Sequence, residues 1–121
     1  ELYLIRAEAR IRKDNQNLVG AVHDIMEIRK RATKLGFENE MNVSEKDMTL
    51  DFILEERARE LSGEWQRWFD LKRLNKLVEH VKNYNPDAKN NIKPFHINRP
   101  IPQTQFDGMK DWTTLGQNEG Y

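Results

Sequence analysis

The sequence predicts an all-α chain built from helical hairpins and closed by an irregular C-terminal wrap. Two observations carry this. Apolar residues recur at spacings of three and four through most of residues 1 to 82, the spacing that lines one face of an α-helix. All four prolines fall after Tyr84, where each one stops a helix. The chain has 121 residues, a length that suits one domain and buries about two-thirds of the surface an unfolded chain exposes.

Taken in order, Glu1 to Lys13 reads as a helix whose stripe is Leu2, Ile5 and Ala9, with Tyr3, Ala7 and Arg10 flanking it. Asp14-Asn15-Gln16-Asn17 is a polar break rich in turn and N-cap residues. Leu18 to Leu35 reads as a second helix with Leu18, Val22, Ile25, Ile28, Ala32 and Leu35 on its apolar side, and Gly36 as its terminator. A break this short predicts an antiparallel pair. Phe37 to Asp47 is a loop in which Ser44-Glu45-Lys46-Asp47 has the residues to cap a short turn. Thr49 then caps a long helix carrying Leu50, Ile53, Leu54, Arg57, Leu61, Trp65, Trp68 and Leu71. Gly63 sits inside it and signals close packing, a kink or a restart. Leu74, Leu77, Val78 and Val81 continue the pattern to Lys82. Beyond it, Phe95-His96-Ile97-Asn98-Arg99 alternates weakly as one extended segment. Pro100 and Pro102 enforce extended backbone, and Gln103 to Lys110 holds one helical turn. The whole reads as a single domain, 1–121, helical over 1–84 and extended over 85–121.

Composition narrows the function classes. Lys plus Arg equals Asp plus Glu at 20 each, so no general affinity for nucleic acid or anionic lipid is expected. There is no cysteine, which removes disulfides, thiolate metal sites and a cysteine nucleophile. No apolar run approaches the roughly 18 residues that span a bilayer. The opening Glu1-Leu2-Tyr3-Leu4-Ile5 has no initiator methionine and looks like the interior of a helix. The chain is therefore expected to be a fragment whose export signal or lipid anchor lies upstream.

Several segments, in order, carry a family resemblance. Ile53-Leu54-Glu55-Glu56-Arg57-Ala58-Arg59-Glu60-Leu61-Ser62-Gly63-Glu64, then Arg67-Trp68-Phe69-Asp70-Leu71-Lys72-Arg73, resembles the signature helix of SusD/RagB proteins. Tyr3 to Ala9 resembles that family's preceding helix. Ile101-Pro102-Gln103 and Gln117-Asn118-Glu119-Gly120-Tyr121 resemble its closing motifs, with Gln105 and Glu119 departing from the usual glutamate and proline. The resemblance implies tetratricopeptide-like helix pairs, with a small residue in Leu18 to Val22 letting two helices approach. It also implies a non-catalytic surface lipoprotein of the outer membrane. Such a protein holds oligosaccharides or other nutrients over a SusC-like TonB-dependent transporter, needs no cofactor, and meets the membrane only through its upstream anchor. A protein-binding scaffold of tetratricopeptide type is the alternative, and a hydrolase using Glu60 and Glu64 is a second one.

Candidate chemistry is sparse. Glu56, Glu60 and Glu64 fall at i, i+4 and i+8, and paired carboxylates cleave glycosidic bonds. Arginines 57, 59 and 67 interleave with them, which makes an ion-pair lattice the commoner reading. His23, His80 and His96 have no ligand spacing. Indole faces stack on sugar rings, but Trp65 and Trp68 fall on the apolar stripe and are expected in the core. Trp112, in the tail, is the one candidate ligand contact. No other binding residue is assigned, because the family's glycan site is built mainly from loops outside this stretch.

Overall fold

The computed structural model describes residues 1–111 and 114–121. They are helical throughout, with turns and loops between, and contain no strand among the described residues. The chain divides into two compact units, Glu1–Arg67 and Trp68–Tyr121.

The first unit begins with helices α1 (Leu2–Arg12) and α2 (Leu18–Ala32). The Asn17 carboxamide oxygen accepts from the Gly20 N–H at 2.8 Å, so the polar break does supply the N-cap. Arg10 reaches the Gly20 carbonyl and Asp24, while Arg6, one turn earlier, also reaches Asp24. The pairing steps backward along α1 as it steps forward along α2, which makes the hairpin antiparallel. Ala7 and Ala21 are both fully buried in the core cluster, where small side chains permit close helix approach.

The core face of α1 differs from the expected one. Leu4, Ala7 and Ile11 are buried with Glu8, whereas Leu2 is 82% exposed and Ile5 and Ala9 also face out. Both stripes have helical spacing, so periodicity alone does not choose between them. The inward choice brings the alanine against the partner helix and sets Glu8 where Arg12, one turn on, pairs with it.

Helix α2 also ends earlier than expected. The Thr33 hydroxyl donates to the Arg29 carbonyl at 2.7 Å and the chain turns extended there. Leu35 lies beyond the helix and is 95% exposed. Two short 3-10 turns follow, Glu38–Met41 and Glu45–Asp47. The second has the expected cap: the Ser44 N–H and hydroxyl both donate to the Asp47 carboxylate, at 2.7 and 2.8 Å. Helix α3 (Leu50–Glu60) starts as expected at Thr49, whose hydroxyl accepts from the Phe52 N–H. Ile53 and Leu54 are buried, and Ile53, Met48 and Leu61 join the hairpin's core.

The long helix breaks after Glu60. The Leu61 carbonyl accepts from the Glu64 N–H in a tight turn, and Gly63 and Trp65 take left-handed conformations with φ of 83° and 63°. Glycine adopts this at no steric cost, which selects the restart from the readings of Gly63. Helix α4 (Arg67–Arg73) follows. Trp65 is therefore not core: it is 91% exposed.

In the second unit, α4 is separated from α5 (Leu77–Tyr84) by Asn75, also left-handed with φ 57°. The Lys76 N–H reaches back to the Leu71 carbonyl and the Asn75 N–H to the Lys72 carbonyl, the pattern that closes a helix on a left-handed residue. Among the unit's described residues, Leu71, Leu77 and Phe106 are the buried apolar groups. Residues 94–97 form a 3-10 turn packed against α5, not the extended segment expected. Pro94 presets its first dihedral, and the His96 ring nitrogen Nδ1 accepts from the Lys93 N–H at 2.8 Å. The expected turn after Pro102 is helix α6 (Gln103–Asp107).

Candidate functional site

The glutamate row is tied into ion pairs. Glu56 is buried on α3 and accepts two bonds from Arg29 of α2, at 2.9 and 2.8 Å, and one from Arg59 at 2.6 Å. Arg29 also caps the Met41 carbonyl and lies over the Phe52 ring. Burial pushes the Glu56 carboxyl up, yet its arginine hydrogen bonds outweigh that and hold it below the ordinary glutamate value. The same contact raises Arg29. A carboxylate kept ionised in this way is a poor proton donor.

Glu60 pairs with Arg31. Glu64 is not on the same helical face, because α3 ends at Glu60 and Glu64 belongs to the turn that follows. Arg57 is buried, with the Glu1 carboxylate 3.8 Å away, and Arg67 donates to Glu55 and to the Leu54 carbonyl. These contacts tie α2 to α3 and Arg67 back onto α3, and they engage both Glu56 and Glu60 with arginine.

A second ion cluster escaped the sequence reading. Asp24 is fully buried on α2 and held by Arg6 and Arg10 of α1. Its signal was an acidic residue one position before Ile25 on the apolar stripe, with two arginines four apart on the neighbouring helix. The hydrogen bond to Asp24 raises the Arg6 guanidinium above its ordinary value.

Of the aromatic candidates, Trp65 stands in solvent on its left-handed turn. Trp68 is half-buried, with the Arg99 guanidinium 4.8 Å from its ring centre. Phe69 is mostly exposed. Trp112 lies outside the described residues. On α1, the outward residues Leu2, Tyr3, Ile5, Arg6 and Ala9 line an open, mainly apolar groove. Among the described residues no three His, Asp or Glu side chains gather to hold a metal ion, and no helix is long and apolar enough to cross a membrane.

Comparison with known proteins adds the family. The chain is 32% identical over its whole length to SusD-like protein P2 of Formosa agariphila, covering 24% of that protein. It is 30% identical over 84% of its length to SusD-like protein P25 of the same organism, covering 20% of it. A 39-residue stretch is 54% identical to SusD-like protein P38, also of that organism, covering 32% of this chain and 8% of the relative. The chain thus spans less than a quarter of the length of these relatives. No solved structure matches. The SusD family model matches residues 1–121 from end to end, and the chain belongs to the SusD family.

Proposed function

We propose that this chain is part of a non-catalytic, surface-exposed outer-membrane lipoprotein that binds a glycan or similar nutrient and delivers it to a SusC-like TonB-dependent transporter. The observation that carries this is the family match across all 121 residues. The paired state of Glu56 and Glu60 supports a binding role over a hydrolytic one, since ion-paired carboxylates are structural groups first. Ligand contacts come mainly from the larger part of the protein outside this stretch. Within it, Trp112 is the side chain we put forward. Residues 1–84 and 85–121 act as the helical body and the closing wrap of that protein's C-terminal region.

The test uses the full-length protein. Affinity screening against a glycan panel is expected to give saturable binding to one class of oligosaccharide. Co-purification from outer membranes is expected to bring down a TonB-dependent transporter. Absence of both would reject the reading. Release of reducing sugar that is abolished by Glu60→Gln or Glu64→Gln would replace it with a hydrolase.

A further inference from the structure

The closing residues do something that no periodic pattern encodes. Beyond the 3-10 turn at Pro94–Ile97, the segment from Asn98 to Pro102 lies outside any helix, and Pro100 and Pro102 bring no N–H of their own. Its exposed peptide groups are taken up by side chains from the last five residues. The Gln117 carboxamide pairs with Ile101 in both directions: its oxygen accepts from the Ile101 N–H at 2.7 Å, and its Nε2 donates to the Ile101 carbonyl at 2.9 Å. This is the two-bond exchange a neighbouring strand would make, supplied here by one side chain. The Asn118 Nδ2 donates to the Arg99 carbonyl at 2.6 Å, and the Tyr121 hydroxyl to the Asn98 carbonyl at 2.9 Å. The Tyr121 ring meets Phe95 edge-on at 5.2 Å. Gly120 makes that approach possible. Its φ is 93°, and a Cβ there would stand 2.4 Å from the Phe95 ring.

The segment pinned in this way carries Arg99, whose guanidinium covers the Trp68 indole. Asn98 is held from its other side by Lys72 at 3.1 Å. Three carbonyls and one N–H of four consecutive residues are thus fixed by a single pentapeptide. We propose that Gln117–Tyr121 is a latch. When engaged it orders the Asn98–Ile101 strap and seats Arg99 on Trp68, closing that aromatic face to ligands. When released it frees the strap and opens the face. This goes beyond the proposed function and does not depend on it.

The latch makes an asymmetric prediction, which NMR of the isotope-labelled chain reads directly. In Gln117→Ala and in Gly120→Ala, exchange of the Ile101 amide should accelerate roughly tenfold or more. The Arg99 side-chain protons should lose their upfield ring-current displacement in the same variants. In Arg99→Ala the lid is gone but the latch stays, so Ile101 should remain protected. Should Gln117→Ala broaden the Leu77 and Phe106 resonances as well, Gln117→Glu decides. It keeps the oxygen that accepts from Ile101 and loses only the donor, and is expected to give a smaller loss of protection together with a proportionately smaller loss of the Arg99 shift. The latch is overturned if the Arg99 shift survives undiminished in Gln117→Ala or Gln117→Glu, if Ile101 exchange is unchanged in them, or if Arg99→Ala alone deprotects Ile101.

Discussion

The two units are held together by different chemistry. In residues 1–67, Leu4, Ile11, Ile25, Ile28, Ile53 and Leu61 form one buried cluster, and carboxylates at Asp24 and Glu56 are sunk beside it with arginines on them. In residues 68–121 the buried apolar groups among the described residues are few, and side-chain amides on backbone do much of the fixing. Apolar burial is additive and non-directional, about 1.5–3 kcal/mol for a large side chain. An exposed amide–backbone hydrogen bond contributes about 0.5–1.5 kcal/mol and depends on geometry. The first unit should therefore fail on loss of apolar volume or on loss of an arginine from a buried carboxylate, and the second should depend more on its amide–backbone hydrogen bonds.

The largest expected effect probes that contrast directly. Ile25→Ala removes a fully buried side chain from the first unit and should cost about 2–5 kcal/mol in denaturant unfolding, since the cavity cannot collapse easily. A cost under about 1 kcal/mol would mean the cluster is loosely packed and the contrast is false.

Trp68→Ala comes next. Full burial would have implied about 3–5 kcal/mol. Because the ring is half-buried and one face is covered only by the exposed Arg99 side chain, about 1–2 kcal/mol is expected instead. A loss as large as that of Ile25→Ala would show that the second unit also rests on a packed core.

Acid should act on the first unit through Glu56. Its folded-state carboxyl is held below the unfolded value by Arg29 and Arg59, against the opposing push of burial. The stability it contributes is thus complete above the unfolded glutamate range, about pH 4.3, and is lost as pH falls through the lower folded value. Glu56→Gln should flatten the acid limb of a stability-against-pH curve for the first unit. An unchanged slope would assign acid sensitivity elsewhere.

The smallest effect is at the break in the long helix. A left-handed conformation costs a residue with a Cβ about 1–2 kcal/mol, and glycine gives back about half of that through its freer unfolded chain. Trp65→Gly is therefore expected to stabilise the first unit by up to about 1 kcal/mol. Destabilisation would mean the indole makes contacts that its 91% exposure hides.

Much of the helical framework was legible because caps are local. Asn17, Thr49 and the Ser44–Asp47 pair each act within three residues of themselves, and a sequence displays such spacings directly. The face of α1 was not legible. Leu2-Ile5-Ala9 and Leu4-Ala7-Ile11 are equally periodic, and the choice depends on what lies across from them, in particular the buried Asp24 and the alanine at position 21. Trp65 was misplaced for a related reason. A stripe drawn across Gly63 assumes a continuous helix, and left-handed backbone at Gly63 and Trp65 ends that helix before Trp65 can join its face. Asn75 repeats the effect at the next break, and asparagine's tolerance of that conformation was a readable hint. Ile101-Pro102-Gln103 and Gln117–Tyr121 stood out as closing motifs, but the Gln117–Ile101 exchange between them was not legible, because a side-chain amide standing in for a strand has neither period nor fixed spacing. For the proposed ligand contact, the sequence offered only Trp112, which the described residues do not include.

The Gly63–Trp65 turn also has a meaning for how the chain is taken apart. It interrupts the helix two residues before the first compact unit ends at Arg67. It presents to solvent the bulky aromatic side chain that chymotrypsin-like proteases select. A cutting enzyme needs a stretch of backbone free to straighten in its cleft, and exposed turns with few buried neighbours yield it most easily. Brief digestion should therefore open the chain first after Trp65 and leave two fragments that nearly coincide with the two units. The residue that breaks the helical pattern would then mark the seam along which the domain is most readily dissected.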